Sequence, residues 1–275
     1  MNSNKDPLYH CFVITLEHSQ ERREIISSRL AELKIPFEFH PGVDGRKIDL
    51  FSHQHYSKWK RRMFFGRDLS NGEFGCILAH KSIYERIAER NIGIALILED
   101  DAIICDELPS VVDTLIRLQK NWDIVRFLGR EKNYRASRTI AQLPGTQNHL
   151  ARPHGMPGGA YGYVINNHAA RRLLSMMEKN WLPIDTLHGV SWLTKLNTVS
   201  VVPSPVLPND AVPSCIDEQD SSLRWNKSVS LSGFGKLIYP LTRSAWKTYC
   251  NVLVKYVWLS TLIPDIKLSR LLKKP

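Results

Sequence analysis

The five cysteines of this 275-residue chain, Cys11, Cys76, Cys105, Cys215 and Cys250, are scattered, odd in number and never paired as C-x-x-C. Neither a zinc-ribbon spacing nor a disulfide framework follows from them. Cys11 and Cys76 sit in apolar contexts and read as small core residues. A reducing compartment is expected. The chain has no run of eighteen uncharged apolar residues, so no membrane span is expected. Its first residues, Met1-Asn2-Ser3-Asn4-Lys5-Asp6-Pro7, lack the apolar core of a signal peptide. Internal repeats and low-complexity tracts are absent as well. Gly158-Gly159-Ala160-Tyr161-Gly162 is glycine-rich, but it lacks the G-x-G-x-x-G spacing and the strand-before-helix context of a dinucleotide loop. That sets aside a dehydrogenase. Acid is scarce at one end. Residues 221–275 hold ten Lys/Arg against Asp265, which accounts for +9 of the net +10. The near-neutral body therefore lacks the basic face that nucleic-acid binding needs.

What is present is a core. Hydrophobic residues make up 43% of the chain, ample for one large domain with an appendage. Residues 9–14 read as a first strand, followed by a helix that Ser19 would cap and that buries Ile26, Leu30 and Leu33. Phe37-Glu38-Phe39 reads as a second strand, and this βαβ opening predicts a mainly parallel sheet flanked by helices. Residues 51–68 have no clean period and read as a loop or irregular helix. A helix is expected from Asn71 to Arg90, with Ile77, His80, Ile83, Tyr84 and Ile87 on one face. Residues 129–157 read as loop. Strands near 158–165 and 199–202 flank a helix capped by Asn166 or Asn167. The expected boundaries are a domain over 8–220 and a basic, aromatic-rich helical segment over 221–275.

The sharpest local feature is Ile94-Ala95-Leu96-Ile97-Leu98 running into Glu99-Asp100-Asp101. An apolar β-prone run reads as a buried strand, so the three carboxylates fall at the rim where open α/β sheets bind ligands. Crowded carboxylates repel unless a positive charge joins them. A hard cation, Mn²⁺ or Mg²⁺, suits oxygen donors and would hold phosphates there. The alternative is an ordinary acidic turn. The triplet resembles the acidic D-x-D signature of nucleotide-sugar glycosyltransferases.

Around the triplet stand further motifs in order. They are Val13-Ile14-Thr15-Leu16 with Arg22-Arg23, Gly42-Val43-Asp44-Gly45-Arg46, and Leu69-Ser70-Asn71-Gly72-Glu73-Phe74-Gly75-Cys76-Ile77-Leu78-Ala79-His80. After the triplet come Gly162-Tyr163-Val164-Ile165 with Ala169-Ala170, and Leu182-Pro183-Ile184-Asp185. The set, over about residues 9–190, resembles glycosyltransferase family 25, the bacterial lipooligosaccharide galactosyltransferase group. Thr15 departs from the Asn common in the family, and Ala79 from the Ser common before the His.

The resemblance implies a GT-A-like fold and transfer of a hexose, most often galactose from UDP-galactose, onto a lipooligosaccharide or LPS saccharide, with inversion to a β-linkage. Alternatives are transfer of another sugar such as glucose, or a non-catalytic saccharide-binding protein. Glu99 and Asp101 are the expected metal ligands. Thr15, Arg23, Asp44, Arg46, His80 and Asp100 are expected at the donor. Asp185 is the expected base, with Trp181 as a sugar platform and Asp210 and Asp217 as runners-up. His154 and His188 are candidate third metal ligands. The basic tail, with Trp246, Tyr249, Tyr256 and Trp258 among its cations, suits a membrane surface. That points to a lipid-linked acceptor and to the bacterial cytoplasm at the inner leaflet, with no nucleic-acid partner.

Overall fold

The apolar run forms β3 (Ile94–Glu99), whose first five residues are all buried. It pairs in parallel with β1 (His10–Thr15), which pairs in parallel with β2 (Glu38–Pro41). A strand covered on both faces needs apolar residues at every position, and the packing shows why. Leu96 and Leu98 join Cys11, Val13, Val125 and Val164 on one face, while Ala95 and Ile97 join Phe12, Ile124, Tyr163 and Ile165 on the other. Helices α1 (Gln20–Glu32) and α4 (Leu108–Arg117) cover the first face; α3 (Asn71–Glu89), α6 (Asn167–Met176) and α7 (Ile184–Gly189) cover the second. The computed structural model describes residues 8–209 and 231–272.

The expectation of a mainly parallel sheet is corrected. Further along the sheet lie β5 (Ile124–Phe127), β6 (Arg138–Gln142), β7 (His149–Arg152), β8 (Gly162–Asn166) and β9 (Thr198–Val202), in the order β2-β1-β3-β8-β5-β9-β7-β6. β8 runs antiparallel to both β3 and β5, β7 antiparallel to β6 and β9, and β9 parallel to β5. The cause is the stretch after β5. It holds a single turn of helix, α5 (Glu131–Tyr134), and the β6–β7 hairpin at the far edge. Without a long crossover helix, the chain re-enters the centre from the opposite end. The hairpin replaces the expected loop. Its edge strand β6 buries Ile140 and Ala141 alone, a pattern too polar to read as strand. Beside the sheet, β4 (Ile103–Ile104) pairs with β10 (Val206–Leu207).

Residues 51–68 contain a regular helix, α2 (Lys58–Phe65), ended by Gly66 at φ 77°. Ser19 stands at the start of α1 without a side-chain capping bond. A short α8 (Ser191–Thr194) follows α7. The basic segment forms α9 (Gly233–Ser260) and α10 (Leu262–Leu272). Both send residues into the body: Cys250 of α9 is buried in the core of the second face, and Leu268 of α10 in that of the first. Asp210, Cys215 and Asp217 lie outside the described residues, as do Lys273 and Lys274.

Candidate active site

Because β1, β2 and β3 are mutually parallel, their carboxyl ends open onto one rim. α3 begins on the same rim. Ser70 accepts from the Glu73 N–H and Glu73 accepts from the Ser70 N–H, a capping box that fixes its first turn. Glycine lets that turn approach the loop after β2. A Cβ on Gly75 would stand 2.4 Å from the Val43 carbonyl oxygen, and one on Gly45 would stand 2.4 Å from that of Asn71. Between the elements lies a cleft open to solvent. Thr15, Arg22, Gly42, Val43, Gly75, Cys76, His80, Glu99, Asp100 and Asp101 line it.

The acidic triplet forms one wall. Thr15 Oγ1 donates to Asp100 Oδ2 at 2.7 Å. The Arg22 guanidinium stands 3.6 Å from Asp100 and 3.8 Å from Asp101. Burial first, then Glu99 and Asp100, pushes the Asp101 carboxyl up to about 7. Asp100 is raised as well, chiefly by burial. Such a site gains from an added cation.

Beneath the triplet lies a polar line inside the apolar core. His80 is fully buried, its Nδ1 2.7 Å from the Tyr163 hydroxyl. That hydroxyl is 2.8 Å from Tyr84 Oη, which is 2.7 Å from His188 Nε2. Burial lowers the His80 imidazole to about 3 and holds His188 well below the usual range, so both rings are neutral. His80 Nε2 has no hydrogen-bond partner and lies 3.8 Å from Glu99 Oε1. Cys76 Sγ, on the same helix face, lies 3.9 Å from that oxygen.

The expected donor and metal residues fall into three groups. Thr15, His80, Glu99, Asp100 and Asp101 converge on the cleft. Asp44 and Arg46 stand beside it and bind each other. Asp44 accepts from the Arg46 guanidinium at 2.7 Å and from its backbone N–H at 3.0 Å, and this holds the Asp44 carboxyl down at about 2. Arg23 points elsewhere. Its guanidinium packs 4.4 Å over the Phe39 ring, and Arg22 is the one at the triplet, since adjacent helical residues face different ways.

Asp185 stands in the first turn of α7. Its Oδ2 accepts from the Gly159 N–H at 3.1 Å and its Oδ1 from the Thr186 N–H at 2.6 Å. Trp181 packs among Phe64, Phe65 and Trp246 of α2 and α9 rather than as an open platform. His188 belongs to the buried line, and His154 packs edge-on against Trp258. The sequence reading took Arg23 in place of its neighbour Arg22 and left Cys76 and Tyr84 as core residues. The signal for the last two was present, because Cys76, His80 and Tyr84 recur at i, i+4 and i+8.

A family model described as glycosyltransferase family 25 (LPS biosynthesis protein) matches residues 9–188. Procollagen galactosyltransferase 1-B of Xenopus laevis is 30% identical over 186 residues, covering 63% of this chain and 29% of that protein. Inactive glycosyltransferase 25 family member 3 of Mus musculus is 28% identical over 187 residues, covering 63% of this chain and 30% of that protein. The match thus spans under a third of the length of these relatives. Among solved structures, A197 from STIV covers 72% of this chain and 82% of its own at 10% identity and a TM-score of 0.37, too distant to argue from.

Proposed function

Since the chain belongs to glycosyltransferase family 25, we propose that it transfers a hexose from a nucleotide-sugar donor, bound in the rim cleft, to a saccharide acceptor. The observation that carries this is the acidic wall of the cleft, where Glu99, Asp100 and Asp101 converge beside Arg22. Asp101, its carboxyl pushed up to about 7 by burial first and then by Glu99 and Asp100, marks a place where added positive charge is favourable. Glu99 and Asp101 would hold a hard divalent cation, Mn²⁺ or Mg²⁺, and their all-oxygen donor set fits one. When bound, such a cation neutralises the diphosphate as it departs. Thr15 orients Asp100 toward the donor's hydroxyls, and Arg22 adds a positive charge beside the phosphates.

Asp185 is the proposed base. Its carboxylate is fixed by the Gly159 and Thr186 N–H groups. It takes the acceptor hydroxyl's proton as that oxygen bonds to the anomeric carbon and the bond to the diphosphate breaks. A single displacement of this kind inverts the anomeric centre. The fold is read as GT-A-like and the donor as UDP-galactose. The acceptor is read as a growing lipooligosaccharide, with the enzyme at the inner face of the bacterial inner membrane.

The C-terminal helices support the membrane part of this reading. Phe234, Leu237, Leu241, Val252, Tyr256 and Leu259 form an outward stripe on α9, each at least 59% exposed. The exposed charges of α9 and α10 are Lys236, Lys247, Lys255, Lys267 and Arg270, while Asp265 is buried. An apolar stripe on helices whose exposed charges are all basic suits an anionic lipid surface. Among the described residues, no helix is long and apolar enough to cross a membrane.

The experiment is UDP release from UDP-galactose, with a lipooligosaccharide acceptor and Mn²⁺. Release in wild type and its loss in Asp185→Asn is the expected result. Donor binding without any release, across acceptors and metals, would favour the second reading, a saccharide-binding protein without turnover, as the similarity to inactive family members allows.

A further inference from the structure

Cys76 and His80 lie one turn apart on α3, so both side chains face β3, where Glu99 ends the strand. The thiol sulfur, imidazole Nε2 and carboxylate oxygen all lie within 4.8 Å of one another. The Nε2–Oε1 and Sγ–Oε1 separations are 3.8 and 3.9 Å. Tetrahedral zinc, with bonds of about 2.0–2.3 Å, sets its ligand atoms roughly 3.3–3.7 Å apart. Two of the three separations are thus within about half an ångström of a coordination sphere.

A second observation is independent of that spacing. His80 Nε2 is sealed from water, has no hydrogen-bond partner, and faces the cleft that Cys76 and Glu99 also line. A buried nitrogen left unpaired is costly unless something binds it. The other ring nitrogen is anchored to Tyr163, and through Tyr163 to Tyr84 and His188. With Nδ1–H donating to Tyr163, Tyr163 to Tyr84 and Tyr84 to His188 Nε2, each contact along the line pairs one donor with one acceptor, and the His188 Nδ1 at its far end has no partner. His80 then presents a lone pair at Nε2. This is the outer-shell arrangement of a metal-binding histidine.

We propose that Cys76, His80 and Glu99 form a binding site for a borderline-soft divalent cation of the zinc class, and that its occupation withdraws Glu99 from the donor site and inhibits transfer. A thiolate and an imidazole select zinc or cobalt over Mn²⁺ and Mg²⁺. Binding exchanges the S–H bond for an S–metal bond and releases the thiol proton to solvent. Three protein ligands leave the fourth position to water on the cleft side. The binding rests on this geometry alone; the inhibition rests on the transferase reading.

The test is a Co²⁺ titration of the full chain in metal-free, reducing buffer. A thiolate-to-cobalt charge-transfer band should appear in wild type, vanish in Cys76→Ser, and be displaced by Zn²⁺. Zn²⁺ affinity by isothermal titration should fall at least about tenfold in Cys76→Ser and in His80→Ala, with circular dichroism confirming that both fold. A band that persists in Cys76→Ser, or no band in wild type, overturns the site. For the inhibition, each protein is compared with its own Mn²⁺-supported rate. The Zn²⁺ concentration for half-inhibition should rise at least about tenfold in Cys76→Ser. Equal Zn²⁺ sensitivity in the two proteins overturns the regulatory part. Should no transfer be found at all, the cobalt spectra still decide the site.

Discussion

Asp265 and Asp101 are both carboxylates drawn out of water beside arginine, yet they solve the problem in opposite ways. At Asp265 the charge is closed. Arg138 donates to it at 2.5 Å and Arg152 at 2.7 Å. The same guanidiniums also donate to the Trp258 carbonyl and Thr261 Oγ1, and to Asn197 Oδ1 and the Thr198 carbonyl. This clasp fixes α10 to β6 and β7. At Asp101 the charge is open. Arg22 stands 3.8 Å away, two acids crowd in, and the carboxyl is pushed up to about 7. A buried acid with its partners complete holds the fold together. A half-buried acid that desolvation and its acidic neighbours both disfavour is arranged for something that comes and goes.

Removing Asp265 should have the largest effect. Asp265→Ala strands the buried Arg152 and the half-buried Arg138 guanidiniums and is expected to cost about 3–5 kcal/mol. In a chain of this size that is roughly a 6–20 °C fall in Tm. Transfer per folded molecule should survive at lower temperature. A Tm within a degree or two of wild type would break the contrast at its structural end.

Asp101→Asn tests the other end. Transfer should drop about 10²–10³-fold, the loss seen when a charge-stabilising group is removed. Thermal stability without metal should hold or rise, because a repelled charge has gone. If Asp101→Asn instead unfolds the protein as Asp265→Ala does, the two clusters are of one kind and the cleft loses its special standing.

Much of the open site could be read in the sequence because its parts are local. The apolar run of β3 and the triplet after it are adjacent, and although Thr15 meets Asp100 across 85 residues, it does so through the parallel β1–β3 pairing that the βαβ opening predicts. What could not be read depends on distant partners. Tyr84 meets Tyr163 and His188 across 79 and 104 residues. The reversal of β8 depends on a polar hairpin whose edge strand hides its strand character. The choice between Arg22 and Arg23 turns on the phase of α1, and one residue of phase moves a side chain by about 100°. The clasp at Asp265 was invisible for the same reason. A lone acid in a basic tail does not reveal that its arginines lie more than a hundred residues earlier.

A smaller effect probes the shape of the open site and leaves its charge alone. Gly75→Ala places a methyl 2.4 Å from the Val43 carbonyl oxygen and 3.2 Å from the Gly45 nitrogen, so α3 must retreat from the loop after β2. Overpacking of this kind costs about 1–3 kcal/mol. It should weaken donor binding, read as a higher KM for the sugar nucleotide, while Arg138 and Arg152 keep their hold on Asp265. An unchanged KM would mean that the β2 loop and α3 do not together shape the donor cleft.

His40 marks a third way to bury a titratable group, which is to keep it uncharged. Its ring is 2% exposed, neither nitrogen has a partner, and Phe12 packs edge-on against it. Burial, aided by Arg86 and His80 and opposed by Glu38, lowers it from 6.5 to about 4. Above pH 6.5 the ring is neutral both folded and unfolded and adds no pH dependence. Between about 6.5 and 4 the unfolded chain takes up a proton that the folded chain refuses, so stability falls as pH falls. At pH 5.5 the expected loss from this one ring is about 1.4 kcal/mol relative to pH 7.5. His80 and His188 push in the same direction, and Asp101, raised in the fold, pushes against them. His40→Leu isolates the term, because those groups remain in both proteins. Urea midpoints at pH 7.5 and 5.5 should diverge less in the variant by that amount. Equal divergence would place a charge, or a partner for one, at His40, and it would then belong with Asp265.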